Sequence, residues 1–224
     1  MNFYPITVLD NFYDDPDAVR KFALSQKYQF RHELRDELPF VFPGSRTKDL
    51  SVINKPLFEK VARKISALFH NLENDHFRWS ITTNFQSVSE DYGRGIIHYD
   101  SAIFAAVLYL SPDAPLTAGT SLFKPNKSFD QEKYDFCHTE NHKNFLNGNV
   151  RMDTSYHSMF DEIVRVNNVY NSLVLYEGHH FHAANEFFGK NLKDARLAQV
   201  FFVNKIDAQH HSSFPVWRSQ QIKA

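Results

Sequence analysis

From Phe77 onward the chain is written in short runs of β-branched and aromatic residues separated by turns. That rhythm limits what it can fold into. The runs fall at 77–88, 95–100, 103–110, 119–124, 171–177 and 197–204. Short strands punctuated in this way suit a sandwich or barrel of the jelly-roll kind. The first 75 residues differ. "ITVL" reads as one strand, Ile6 to Leu9, and Asp15-Pro16 as the cap and first residue of a helix reaching about Lys27. Asn54 and Pro56 open a second helix with one apolar stripe, Leu57, Val61, Ile65, Leu68 and Phe69. Glu59, Lys60, Arg63 and Lys64 fill its other side, so both helices are expected to support a sheet. The fold class predicted is mainly β with flanking helices (α+β).

At 224 residues the chain is expected to form a single domain, with 22 phenylalanines giving it an unusually aromatic core. Its parts are residues 1–75, the strand and supporting helices; 76–124 and 171–205, the β core; 125–170, an insertion; and 206–224, a C-terminal arm anchored by Phe214 and Trp217. The insertion is polar and irregular, with one helical turn expected at Asp161 to Val166. Insertions this long are often lids, and Tyr134, Phe136 and Phe145 are its candidate contacts with a substrate.

Composition removes several function classes. Twenty-five Lys and Arg against 26 Asp and Glu leave a net charge of −1, so nucleic acid is not an expected partner. A single cysteine, Cys137, excludes an intrachain disulfide and suits a reducing compartment. No secretory leader and no membrane-length apolar stretch can be read, and a cytoplasmic location without membrane association is expected. The oligomeric state is not legible.

The chemistry concentrates in two places. In "GIIHYDS", residues 95–101, His98 and Asp100 stand two apart at the end of an apolar run, so an extended backbone projects both to one side. A hydrogen-bonded His–Asp pair and a pair of metal ligands both fit. In "NSLVLYEGHHFHAANEF", residues 171–187, a buried strand is broken at Glu177-Gly178 and followed by His179, His180 and His182. His180 and His182 share a side, while His179 points away. Further on, Arg196 heads a row with Ala198, Val200 and Phe202 on one face of a strand. A cation there must find an anion or sit at the solvent end. Two histidines and one carboxylate form the donor set of non-haem Fe(II) oxygenases. Cys137, His138, Glu140 and His142 also lie close together, but in a stretch read as solvated loop.

The order H-x-D, a long interval, His, then an arginine opening the next strand resembles the Fe(II)/2-oxoglutarate-dependent dioxygenase superfamily, and within it the prolyl-hydroxylase-like branch. "VLYLSPDAPLTAGTSLFK" and "SLVLYEGHHFHAA" are similar to the family's flanking strands, so the likeness covers about residues 77–124 and 171–204. It implies a double-stranded β-helix (jelly-roll, cupin-like) core. His98, Asp100 and His182 match the three metal ligands, with His180 as the rival for the third. Arg196 matches the residue that pairs with the distal carboxylate of 2-oxoglutarate; the other reading is an ordinary salt bridge to Asp194 or Glu186. Tyr109 sits where some relatives place a hydroxyl on that carboxylate, and a core tyrosine is its other reading. Two departures stand out: "NEFFGKNLKD" lengthens the interval between His182 and Arg196, and the usual paired glycine is reduced to Ala118-Gly119.

The resemblance implies Fe(II) as cofactor, with 2-oxoglutarate and O2 as co-substrates. Succinate and CO2 would be released, and a C–H bond hydroxylated on a peptidyl side chain or a small amino-acid-like substrate. A non-catalytic cupin-like module that binds a metal or ligand is the alternative.

Overall fold

The computed structural model describes residues 4–37 and 41–209, so Phe214 and Trp217 lie outside the described residues. The elements in chain order are β1 (Ile6–Leu9), α1 (Pro16–Leu24), β2 (Gln29–Phe30), β3 (Ser45–Arg46), α2 (Leu50–Ile53), α3 (Lys55–Ser66), β4 (Phe77–Val88), β5 (Phe104–Tyr109), β6 (Thr120–Pro125), α4 (Gln131–Leu146), β7 (Phe160–Val166), β8 (Leu173–Glu177), β9 (Phe181–Ala184) and β10 (Arg196–Ala208). Seven strands form one sheet in the order β1-β8-β5-β10-β4-β3-β2, and three form a second, β7-β6-β9. Every pairing is antiparallel.

The large sheet is apolar on both faces, and each face has its own cover. Phe104, Ala106 and Leu108 of β5, Leu173 and Leu175 of β8, and Leu197, Phe201 and Val203 of β10 join Val19 and Ala23 of α1 and Val61 and Ile65 of α3 in one buried cluster. Full burial of a side chain such as Ile65 contributes roughly 1.5–3 kcal/mol. Both helices begin as their sequence signals predict. The Asp15 carboxylate accepts from the Ala18 amide at 2.9 Å, and the Asn54 side chain accepts from Leu57 at 3.1 Å. The alternate residues of the same strands, Ala105, Tyr109, Val174 and Tyr176, face Leu122 of the second sheet. Helices therefore cover one face and a β layer covers the other, which leaves the gap between the two sheets for a site.

Three local expectations give way. Residues 95–100 form no regular strand; only His98 makes a bridge, to His182. Residues 161–166 are not a helical turn but part of β7, bonded along β6. The polar stretch after Asp130 is a helix of 16 residues, not loop, and it buries Tyr134, Cys137, Asn141 and Phe145. Tyr134 and Phe145 are thus already packed in the protein's own apolar clusters, whereas Phe136 is exposed.

Asn171 joins the start of β8 to the turn after β1. It has a left-handed φ of 63° and is buried. Its side chain accepts from the Tyr13 amide and donates to the Tyr13 carbonyl, both at 2.8 Å, while its own amide donates to Tyr109 at 2.9 Å. Asn171→Ala should destabilise the fold by about 2–4 kcal/mol, combining left-handed strain with two lost buried hydrogen bonds. Asn171→Gly should recover the strain portion alone, and denaturant melts of the two variants separate these contributions.

Candidate metal centre

His98, Asp100 and His182 arrive from two directions and are fastened by backbone bonds. The His98 amide donates to the His182 carbonyl at 3.1 Å, and the His182 amide donates to His98 at 2.8 Å. The Asp100 amide donates to Gly178 at 2.8 Å. That approach needs a glycine: a Cβ on Gly178 would stand 2.2 Å from the Ala102 carbonyl oxygen and 3.3 Å from the Asp100 Cβ. A Cβ on Gly119 would likewise meet the Val166 carbonyl oxygen at 1.8 Å, so the single glycine kept at that place is required by contact.

The side chains then converge. Nε2 of His182 lies 3.4 Å from Asp100 Oδ2, and Nε2 of His98 lies 3.7 Å from Oδ1. One ligand atom from each of the three residues falls within 4.8 Å of the others. Donor atoms about 2.1 Å from one ion and at right angles to each other are separated by roughly 3 Å, so small adjustments would seat an ion. Nδ1 of His98 is 3.0 Å from the Ile96 carbonyl, and Nδ1 of His182 is 2.8 Å from the His180 carbonyl. A carbonyl can only accept, so each Nδ1 carries the proton and each Nε2 presents its lone pair to the shared space. Burial and the adjacent His182 push His98 down to about 4, which keeps it neutral as a ligand must be. Burial works to raise the Asp100 carboxyl, but the His182 imidazole, then His98 and Arg46, hold it below the ordinary carboxylate range. His180 is turned elsewhere. Its ring packs on Tyr4, and its Nε2 lies 3.3 Å from Glu177.

Arg196, at the head of β10, is buried and lines the same cavity as the three residues. Its Nε donates to the Ala118 carbonyl at 3.2 Å, and the guanidinium lies over the rings of Tyr109 and Phe187. Neither proposed salt-bridge partner reaches it. Asp194 accepts from the Lys190 and Asn191 amides, and Glu186 accepts from the Thr117 hydroxyl. Tyr109 is buried and donates to Thr120 Oγ1 at 2.9 Å. Its hydroxyl is satisfied within the core, and its ring is a neighbour of the arginine.

Residues 2–199 match the model of a family of unknown function, DUF6445. The chain belongs to the DUF6445 family. No curated protein matches it. Among solved structures, this DUF6445 chain is similar to HygX from Streptomyces hygroscopicus, crystallised with nickel and 2-oxoglutarate. The TM-score is 0.52 at 12% identity, over 94% of this chain and 85% of the other. It is also similar to SnoN, a non-haem α-ketoglutarate-dependent epimerase from nogalamycin biosynthesis. That TM-score is 0.50 at 11% identity, over 95% and 88% of the two chains. At such identities the likeness is one of fold. The DUF6445 chain is a mainly β protein with the jelly-roll core expected from its sequence, flanked by helices. None of its described helices is long and apolar enough to cross a membrane.

A cavity of about 1110 Å³ opens over the three residues. Besides Arg196 it is lined by Arg46 from β3, Asn84 and Gln86 from β4, and His138 and His142 from α4. Sequence reasoning passed over Arg46, Asn84 and Gln86 and set His138 and His142 aside as solvated loop. The histidines had a detectable signal: they are four apart, and Tyr134, Cys137, Asn141 and Phe145 recur at helical spacing between an Asp130 cap and Leu146. Arg46 had none, because β3 is two residues long and only its register with β4 aims it.

His138, His142 and His157 are each pushed down to about 4, chiefly by burial. His157 also takes the Ile97 amide on Nε2 at 3.3 Å, which a proton there would break. Between about 4 and the ordinary value of 6.5, the unfolded chain binds more protons at these positions than the folded one. The metal-free protein should therefore lose stability as pH falls from about 6.5 to about 4. The Tm measured across that range checks it, and a His157→Gln variant should flatten the slope.

Proposed function

We propose that this DUF6445 chain is a non-haem Fe(II)- and 2-oxoglutarate-dependent dioxygenase of the prolyl-hydroxylase-like branch. Its substrate would be a peptidyl side chain or a small amino-acid-like molecule, hydroxylated at a C–H bond. The observation that carries this reading is the pairing, in one cavity, of a His–Asp–His donor set with a buried arginine that has no counter-ion among the described residues. HygX, of the same fold, binds nickel and 2-oxoglutarate, and SnoN depends on α-ketoglutarate, which supports the cofactor assignment.

In this reading His98, Asp100 and His182 hold Fe(II) through two neutral nitrogens and one carboxylate, leaving the rest of the coordination sphere to co-substrate and O2. Bound Fe(II) and 2-oxoglutarate supply oxidation by O2 coupled to release of succinate and CO2. The chain's own residues bind and orient. Arg196 offers a planar fork to the distal carboxylate, and Tyr109 braces that guanidinium with its ring. A non-catalytic cupin-like module would have no use for an uncompensated buried cation, whose desolvation costs stability. The chain acts in this reading as one cytoplasmic dioxygenase domain, and within the expected lid of residues 125–170 the covering part is α4, since β7 is held in the second sheet.

Alanine at His98, Asp100 or His182 should abolish tight Fe(II) binding, measured by anaerobic metal titration, while His180→Ala binds iron normally. Normal binding by His182→Ala together with loss in His180→Ala would show the third ligand to be His180. Arg196→Lys keeps the charge but loses the fork, so 2-oxoglutarate affinity should fall roughly tenfold or more. The readout is the weak visible charge-transfer band of the anaerobic Fe(II)–2-oxoglutarate complex, and an unchanged affinity would remove Arg196 from the site. Succinate release over a panel of peptides and amino acids then tests the substrate assignment.

A further inference from the structure

The cavity holds a second arginine for which the co-substrate has no use. Register fixes where it stands. Arg46 of β3 is opposite Gln86 of β4, Gln86 is opposite Ala198 of β10, and Ala198 is opposite Tyr109 of β5. Directly opposed residues share a face, so Arg46 projects from the site face of the large sheet, as Arg196 does. Arg196 lies two strands across and two residues along from it, about 12 Å between backbones by strand spacing and rise. The two cations mark separate ends of one chamber.

Arg46 is also held ready. Its guanidinium lies 4.4 Å from the centre of the Phe42 ring and 5.5 Å from that of Phe202. Nη2 donates to Gln86 Oε1 at 3.2 Å, and Gln86 is itself fixed by donating to the Pro43 carbonyl at 2.8 Å. Nε is buried without a partner, and among the described residues no carboxylate forms an ion pair with this residue. The nearby Asp49 is committed to the Ser51 and Thr83 amides. Asp100 is close enough for the two charges to stabilise one another, but an ion on the triad would take that carboxylate.

Charge accounting points the same way. Divalent iron and Arg196 together balance Asp100 and doubly charged 2-oxoglutarate, and Arg46 is left over as one uncompensated positive charge. A guanidinium stacked on aromatic faces with free N–H edges is built for a carboxylate or phosphate. The lining of the same cavity includes Ile96, Phe145, Phe187, Val200 and Phe202, which suit an apolar body.

We propose that Arg46 seats an anionic group, carboxylate or phosphate, on the substrate brought to the His98–Asp100–His182 centre, so that the substrate is an acid with an apolar body. The proposal rests on the dioxygenase reading above. The experiment uses anaerobic protein loaded with Fe(II) and saturating 2-oxoglutarate, which occupies Arg196. Calorimetric titration with benzoate and with phenyl phosphate, and with benzamide as the uncharged control, reads the remaining seat. At least one anion should bind, and benzamide at least about tenfold more weakly. Arg46→Gln should weaken that anion by roughly tenfold or more while 2-oxoglutarate affinity stays within about twofold. Whichever anion binds tighter decides between carboxylate and phosphate.

The proposal is overturned if neither anion binds, if benzamide binds as well as benzoate, or if Arg46→Gln binds the anions as the parent does. Should Arg46→Gln fail to fold, Arg46→Lys serves, since it keeps the charge but loses the fork; unchanged binding there overturns the proposal as well. Failure of the parent to take up Fe(II) or 2-oxoglutarate would instead sink the dioxygenase reading. The anion titration is then made in metal-free Arg196→Gln, where Arg46 is the remaining arginine of the described cavity lining. Loss of binding on adding Arg46→Gln would support the anion seat, and no loss would overturn it.

Discussion

The reciprocal backbone hydrogen bonds between His98 and His182 are the fixture on which the candidate site depends. They tie the irregular chain leading into β5 to β9 of the second sheet, outside any regular ladder. With both histidine backbones fixed, the two Nδ1–H groups find carbonyls two residues back in their own chains. The ring orientation and tautomer at each ligand position are thereby set by main-chain geometry, which is stiffer than any side-chain support. Asp100 is placed by the same means, through its amide on Gly178. As a candidate metal centre it is preorganised, so little ordering entropy would remain to oppose the binding of an ion.

Around this fixture the protein spends stability on charge. Two arginines project from one sheet face into a shared cavity, and among the described residues neither forms an ion pair with a carboxylate, although Asp100 lies near enough to Arg46 for their charges to interact. Burial lowers the Arg46 guanidinium only to about 10, so it remains charged at neutral pH and its cost is not escaped by deprotonation. Stacking on aromatic rings recovers part of that cost, of order 0.5–2 kcal/mol per contact. What stacking leaves uncompensated is the part of the in-plane hydrogen-bonding edge that Gln86 and Ala118 do not take, and water or a ligand can satisfy it. The scaffold alone gains nothing from such groups, because well-packed apolar residues in their place would be at least as stable.

The legible parts of this chain are those where side chains report a period. β4 spans the run expected at 77–88, and the apolar stripe of α3 buries Val61 and Ile65 as its spacing predicts. The row Arg196, Ala198, Val200 and Phe202 was readable as one face because β10 is long and its alternation clean. The candidate ligands were readable because H-x-D and a following histidine are ordered along the chain. What failed was local structure set by partners instead of pattern. Residues 95–100 look like a strand, but only His98 makes a β bridge, while Gly95 and Asp100 donate singly to Ala184 and Gly178. β7 carries Asp161, Glu162 and Arg165, charges that disguise an edge strand whose ladder is supplied by β6. α4 hides because one of its buried positions is Asn141, whose side chain exchanges hydrogen bonds with the Asp153 backbone in place of apolar contact.

That last element changes how the cavity works. With α4 as a helix, His138 and His142 are not solvated loop residues but one wall of a chamber whose opposite wall is the large sheet. Two imidazoles held neutral by burial can donate and accept hydrogen bonds without adding to the positive charge already supplied by the arginines. At about 1110 Å³ the chamber exceeds the roughly 300–1,000 Å³ usual for a single small ligand, so a co-substrate at the Arg196 end leaves room for a second molecule. The sheet wall is rigid, because β10 is paired along both edges, whereas α4 is joined to the second sheet through its buried side chains. Motion that admits a substrate is therefore easier on the histidine wall than on the arginine wall. Charge recognition then belongs to the fixed side of the cavity, and shape and hydrogen bonding to the side that can adjust.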